Sequence, residues 1–411
     1  MTETVPTPAA ARPGDRPVQG EPLRVLAVHN RYQIRGGEDR VYEDEAAILA
    51  ARGHAVERFE MTNDGVDDHS RLGLAARTVW SRETRAAVEA AVRAHRADVV
   101  HVHNTLPLVS PSAYYGARAG GAAVVQTLHN YRITCPGALL SRDGAPCEDC
   151  LGKAFAASGV RHACYRGSRA ATLAVATMTA AHRAVGTWRS AVDRYICSTA
   201  FARDKMIQGG LPAGRVVVKP NPLASDPGVG QGGGGFALFV GRLDPARGIA
   251  TLLRAWALDA SLPPLVIVGG GPLDADVQAG AAADERITAL GHQPYARVTE
   301  LMQAADALVF PSTVYEGGNP MALVEAFACG LPVVASRLGG PATMVTPEAG
   351  RLAAPGDAAA LGAAVHDLLA ADRPAARRAA RTLFDSTYAP DANHDRLVRI
   401  YQQALAQRHA G

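Results

Sequence analysis

Two arginines, two glutamates and a histidine carry the residue types that a phosphate- and sugar-handling site needs. Arg242 and Arg247 stand five residues apart in VGRLDPARG (240–248), and Gly241 directly follows an apolar run. A glycine there lets a ligand approach the backbone, and two guanidinium groups can clamp a diphosphate. Taken alone, the pair fits two solvated loop arginines equally well. LVIVGGGP (265–272) sets three glycines, Gly270 among them, between an apolar run and a helical pattern. Backbone approaches a phosphate or sugar at such a helix start, although any tight turn favours glycine. In the segment 310–336, Glu316 falls in a loop and Glu325 in the helix that follows. A carboxylate accepts two donors at once and so suits the vicinal hydroxyls of a sugar or a ribose. As isolated residues, both glutamates read as ordinary surface charge.

The first half adds His129 in TLHNYR (127–132), and Gly36-Gly37 followed directly by Glu38 and a helical pattern. Amides of the paired glycines can meet phosphate. A lone histidine is commonly a structural hydrogen-bonder, but His129 closes an apolar run, as do His103 and Asn104. Four cysteines, Cys135, Cys147, Cys150 and Cys164, contain one CxxC pair flanked by single cysteines. That pattern fits a tetrahedral structural zinc site, or four unpaired buried thiols. Cys197 and Cys329 read as small core residues.

These residues need a scaffold, and the pattern supplies one. Unbroken Val/Leu runs at 23–29, 98–103, 122–128 and 195–198 alternate with helical stretches, which implies a parallel sheet covered on both faces. A second alternating series runs through 236–240, 265–268, 287–290, 307–310 and 332–335. Between the two lies NPLASDPGVGQGGGG, whose glycines predict a flexible linker. The fold expected is α/β: two doubly wound, Rossmann-like domains sharing a cleft beyond the carboxyl ends of their strands. The division is a disordered tail over 1–21, a first domain over 22–222 with a Cys-rich insertion over about 135–164, a linker over 223–235, a second domain over 236–384, and a terminal helix over 385–411 that crosses back.

Composition closes other classes. Hydrophobic residues make up 48% of the 411 and charged residues 20%, enough for two cores. A net charge of +3 is too small for a nucleic-acid partner. No apolar run reaches the ~20 residues that cross a bilayer, so a cytoplasmic location is expected. Arginine-rich stretches at 71–96 and 161–194 would allow peripheral contact with an anionic membrane face, or form solvated helix faces.

The ordered set VGRL…P…RG, VGGGP and PS…YEG…EAFACGLPVVAS resembles the donor signature of family 4 glycosyltransferases of the GT-B fold, and the likeness extends over about residues 22–411. The resemblance implies that Arg242 and Arg247 hold the diphosphate of a nucleotide-sugar donor, the family having lysine more often at the second position. Glu316 would contact the transferred sugar and Glu325 the ribose, while Gly291, His292 and Gln293 would meet the base. Gly36, Gly37, Gly241, Gly270 and Asn319 complete the implied donor set, with His129 facing the donor sugar. Eight residues separate the two glutamates where the family has seven. Either the Gly-Gly-Asn loop carries an insertion, or Gly317 takes the acidic position and Glu316 is displaced.

The family's chemistry is retaining transfer of a hexose from UDP- or GDP-sugar, with diphosphate oxygens taking the acceptor proton. No cofactor is expected for catalysis, since no DxD-type acidic pair lies near these motifs. The acceptor would be a sugar, lipid or small molecule of envelope polysaccharide, glycolipid or secondary-metabolite synthesis. A nucleotide-sugar binder or a sugar-nucleotide epimerase would need the same donor motif. A nicotinamide dehydrogenase would need a G-x-G-x-x-G after the first strand, which is absent.

Overall fold

The computed structural model describes residues 21–33 and 35–410; apart from Glu21, the tail expected over 1–21 lies outside them. The first half supplies β1 (Arg24–Arg31), β2 (Ala55–Thr62), β3 (Val99–Val102), β4 (Ala123–Leu128), a small hairpin of β5 (Ser141–Arg142) and β6 (Ala145–Pro146), then β7 (Arg194–Cys197) and β8 (Val216–Val218). The second half supplies β9 (Ala237–Val240), β10 (Leu265–Val268), β11 (Ile287–Gly291), β12 (Ala307–Phe310), β13 (Val333–Ser336) and β14 (Gly350–Ala353).

These strands make two six-stranded sheets, ordered β2-β1-β3-β4-β7-β8 and β11-β10-β9-β12-β13-β14. Every neighbouring pair within them is parallel. Parallel strands buried on both faces need apolar side chains at successive positions, which is why β3 and β4 are buried throughout. β2 (AVERFEMT) alternates instead and lies at the sheet edge, so its sequence hides it from a search for continuous apolar runs.

Strand order reverses between β1 and β3 in the first sheet and between β9 and β12 in the second. Loops diverge at such switch points and leave a crevice at the carboxyl ends of the strands. The helix Gly37–Ala51 follows β1; Glu38 and Asp39 in its first turn complement the positive end of its dipole.

The final helix, Pro390–Ala410, packs on the first sheet. Its Leu397, Ile400, Tyr401 and Ala404 join Val25, Val99, Val125 and Ile196 in one buried cluster. Burying each of the larger apolar side chains is worth about 1.5–3 kcal/mol. The glycine-rich linker differs from its expected flexibility. Gly233 and Gly235 donate their amides to the Asp306 carboxylate at 2.9 and 3.0 Å, Gly232 and Gly234 donate to the carbonyls of Gln303 and Ala304, and Arg377 donates to the Gly230 carbonyl. Glycine serves there to let the main chain lie against the second domain. Among the described residues, no helix is long and apolar enough to cross a membrane.

Candidate functional site

The two switch points face each other across one cavity of about 360 Å³. Gly37, Glu38, His129 and Asn130 line it from the first domain, and Gly241, Arg242, Arg247, Glu316 and Asn319 from the second. Each is placed by a local device. Gly241 and Arg242 leave the end of β9, and Gly241 donates its amide to the Val268 carbonyl of β10. Asp244 caps the short turn Pro245–Arg247 by accepting from the Arg247 amide. The turn directs Arg247 at Glu316, whose Oε1 accepts from Arg247 Nη1 at 2.7 Å and from Ser312 Oγ at 2.6 Å. The Arg242 side chain is 61% exposed and has Asp244 3.5 Å away, so it is free to swing onto an anion.

The loop after Glu316 packs directly onto the first domain. A Cβ at Gly317 would lie 2.7 Å from the His129 carbonyl oxygen, so only glycine permits that approach. Tyr131 Oη donates to the Glu316 carbonyl at 2.9 Å, and the Asn319 amide donates to Ser198 Oγ at 2.8 Å. The Asn221 amide in turn donates to Asn319 Oδ1 at 3.0 Å. Glu316 thus stands on the cavity wall, with the Gly-Gly-Asn loop running from it to the helix Met321–Ala328.

Other expected donor residues stand outside that cavity. Glu325 is bridged across the domains by Arg40, whose Nη1 donates to its Oε1 at 3.3 Å, and Arg40 also stacks over Tyr295 at 4.4 Å. Burial lifts the Glu325 carboxyl to about 7. Gln293 donates back to the Leu290 carbonyl of its own turn, and His292 is exposed. Gly291 adopts φ +65° and accepts at its carbonyl from the Gly269 amide. In the GGG run, a Cβ at Gly269 would fall 1.8 Å from the Gly241 carbonyl oxygen, so this glycine serves strand-loop packing. Gly270 meets only the Asp274 carboxylate at 3.9 Å and leaves its position open. Gly36 donates its amide to Asp39 Oδ2 at 2.9 Å and belongs to the loop's internal brace.

Glu38 turns inward, accepting from Tyr32 Oη at 2.8 Å and Asn130 Nδ2 at 2.5 Å, and burial raises its carboxyl. His129 has its ring pushed down to about 3, chiefly by burial, so it is neutral at physiological pH. Behind it lie residues that sequence reading passed over: Glu45, His101 and Lys219, all buried. A signal for Glu45 existed. It shares the apolar face of the helix Gly37–Ala51 with Val41, Tyr42, Ile48 and Leu49, a register where a solvated glutamate does not belong.

All four expected zinc ligands are free thiols. They sit in the segment around the β5–β6 hairpin, and a Cβ at Gly137 would lie 3.3 Å from Cys164 Cβ, while one at Gly159 would lie 3.5 Å from Cys150 Sγ. Among the described residues, one set of ligand atoms lies mutually within 4.8 Å, that of Glu45, His101 and His103, and the cysteine sulfurs do not form such a set.

Two facing Rossmann-like domains, with cationic and carboxylate groups converging between their strand ends, define the GT-B class. Within it, residues 26–222 match the glycosyl transferase 4-like domain and residues 235–371 match the glycosyl transferases group 1 family, so the chain belongs to the group 1, family 4 glycosyltransferases. It is 31% identical over 192 residues to a D-inositol 3-phosphate glycosyltransferase of Mycolicibacterium vanbaalenii, across 42% of this chain and 41% of that protein. The chain thus aligns with about two fifths of that relative's length. To a 2-deoxystreptamine N-acetyl-D-glucosaminyltransferase of Streptomyces fradiae it is 29% identical over 301 residues, 67% of this chain and 63% of that one. The fold is shared with Anabaena HepE in complex with UDP and glucose, at a TM-score of 0.64 and 16% identity, over 92% of this chain and 99% of HepE. It is shared equally with sucrose-phosphate synthase of Thermosynechococcus elongatus, at 0.67 and 19%, over 93% and 99%.

Proposed function

We propose that this chain is a retaining, metal-independent glycosyltransferase that moves a hexose from a UDP- or GDP-sugar to a hydroxyl acceptor in envelope polysaccharide, glycolipid or secondary-metabolite synthesis. One observation carries the reading: Arg242, Arg247 and Glu316 from the second domain share a single cavity with Gly37, Glu38 and His129 from the first. The guanidiniums hold the diphosphate, and Glu316 accepts from hydroxyls of the transferred sugar. The bond from the anomeric carbon to the phosphate oxygen breaks, and the acceptor oxygen bonds to the same face. The acceptor proton passes to a diphosphate oxygen, while Arg242, Arg247 and the helix start at Gly37 stabilise the leaving charge. Positioning and electrostatics then supply the rate.

An opposite-face reaction needs a general base near neutral pKa. His129, held down to about 3, is too weak. Glu38 has both oxygens engaged by Tyr32 and Asn130, which suits orientation. That Anabaena HepE, which shares this fold, is known in complexes with UDP and with UDP-glucose supports a uridine donor.

The test is a screen of UDP-, GDP-, ADP- and dTDP-sugars for binding and nucleotide release, with EDTA present. A UDP- or GDP-sugar should be bound and cleaved in EDTA, with glycoside as product. Release restored only by Mg2+ or Mn2+ would overturn metal independence. Epimerised nucleotide sugar, or binding without turnover, would replace the transferase with the epimerase or binder.

A further inference from the structure

Behind the cleft, β3 and β4 bring His101, His103 and His129 together beside the buried Glu45 carboxylate, while His29 of β1 pairs with Asp39 at 2.8 Å. Glu45 Oε1 accepts from Lys219 Nζ at 2.6 Å, and that ammonium also donates to Asn393 Oδ1 at 2.8 Å and to the Pro220 carbonyl at 3.2 Å. Glu45 Oε2 has no hydrogen-bond donor although it is fully buried. His103 Nε2 lies 3.6 Å from it and His101 Nδ1 3.7 Å. With an ammonium already on the other oxygen, the Glu45–His101–His103 set does not favour a cation.

It does dictate where protons sit. Both nitrogens of His101 face hydroxyls at 2.8 Å, those of Tyr401 and Thr127, which donate or accept, so either tautomer is served. His103 has no such freedom. Its Nε2 faces a carboxylate oxygen, where a lone pair would meet lone pairs and a proton meets an acceptor. Deep burial keeps His103 neutral, with one N–H. A proton on Nε2 leaves Nδ1 as an acceptor, and Nδ1 lies 3.0 Å from His129 Nε2. His129 must then donate from Nε2. Among the described hydrogen bonds none reaches His129 Nδ1, on a ring that lines the cleft.

We infer that Glu45 is a positioning residue which, through His103, fixes His129 in the Nε2–H tautomer, so that His129 presents only a lone pair at Nδ1 to the cleft. His129 therefore accepts from a hydroxyl of the bound sugar and never donates to the diphosphate or the glycosidic oxygen. That catalytic consequence rests on the transferase reading; the tautomer itself does not.

The experiment is long-range 1H–15N NMR of the histidine rings in the full chain without substrate. Wild type should show a bare Nδ1 and a protonated Nε2 for His129, and a protonated Nε2 for His103. In Glu45→Gln the amide oxygen stays on Lys219 and the amide NH2 turns to His103 Nε2, which must now accept. Both histidines should flip, exposing a His129 Nδ1–H. Transfer should then fall roughly 10- to 100-fold in kcat/KM, with UDP affinity unchanged. A His129 protonated on Nδ1 in wild type overturns the inference without any variant. So does a Glu45→Gln chain that folds but keeps the wild-type tautomers. If the tautomers behave as stated and no nucleotide sugar turns over, the transferase reading fails and the relay stands.

Discussion

Arg247 pairs with Glu316 at 2.7 Å, so the guanidinium that would grip the diphosphate also holds the carboxylate that would receive the sugar. Arg247→Ala should cost about 2–4 kcal/mol of transition-state stabilisation, and Arg242→Ala a similar amount, as loss of a charged clamp does. Near-wild-type kcat/KM in both would remove them from the diphosphate site. Glu325 makes a pH prediction. Burial lifts its carboxyl to about 7, so the anion that would accept from a ribose diol is lost as pH falls through neutrality. Donor KM should therefore rise below pH 7 in wild type and stay level in Glu325→Gln; a flat wild-type profile would contradict it. Arg242, Arg247, Glu316 and His129 were legible because short motifs at strand ends carry them. Arg40 was not, since its partner Glu325 lies 285 residues away. Lys219, 174 residues from Glu45, was hidden for the same reason.

At the scale of elements, continuous apolar runs gave most of the central strands, because a parallel sheet covered on both faces tolerates little else. The edge strands β2, β8 and β14 escaped: β2 alternates, β8 is too short for a period, and β14 carries Gly350 and Arg351 in place of an apolar run. The linker misled for a physical reason. Glycine reads as freedom, yet here it admits backbone to the Asp306 carboxylate. The cysteine segment remains a proposal for zinc. Four of its residues outside glycine, Ala138, Leu140, Asp143 and Ala163, take positive φ, as closely wound loops do. Zinc binding would draw the four thiolates inward to a tetrahedron. Elemental analysis of purified protein should find about one zinc per chain, lost in Cys147→Ser/Cys150→Ser; protein free of zinc would retire the site.

For the whole molecule, the cleft exists only because the two sheets face each other. Tyr131 with Glu316, Ser198 with Asn319, and Arg40 with Glu325 bridge it, and the helix Pro390–Ala410 returns to seat Tyr401 on His101 behind the site. On the proposed reading, that arrangement would pin a donor from one domain and offer the other domain's His129 and Glu38 no free strong base, and retention of configuration would follow. The decisive measurement is the anomeric proton coupling of the product formed from an α-linked nucleotide sugar. An α-linked product is predicted, with His129→Ala slowing transfer and leaving the anomer unchanged. A β-linked product would contradict front-face reaction and make His129, with Glu38 beside it, the first candidate for an inverting base.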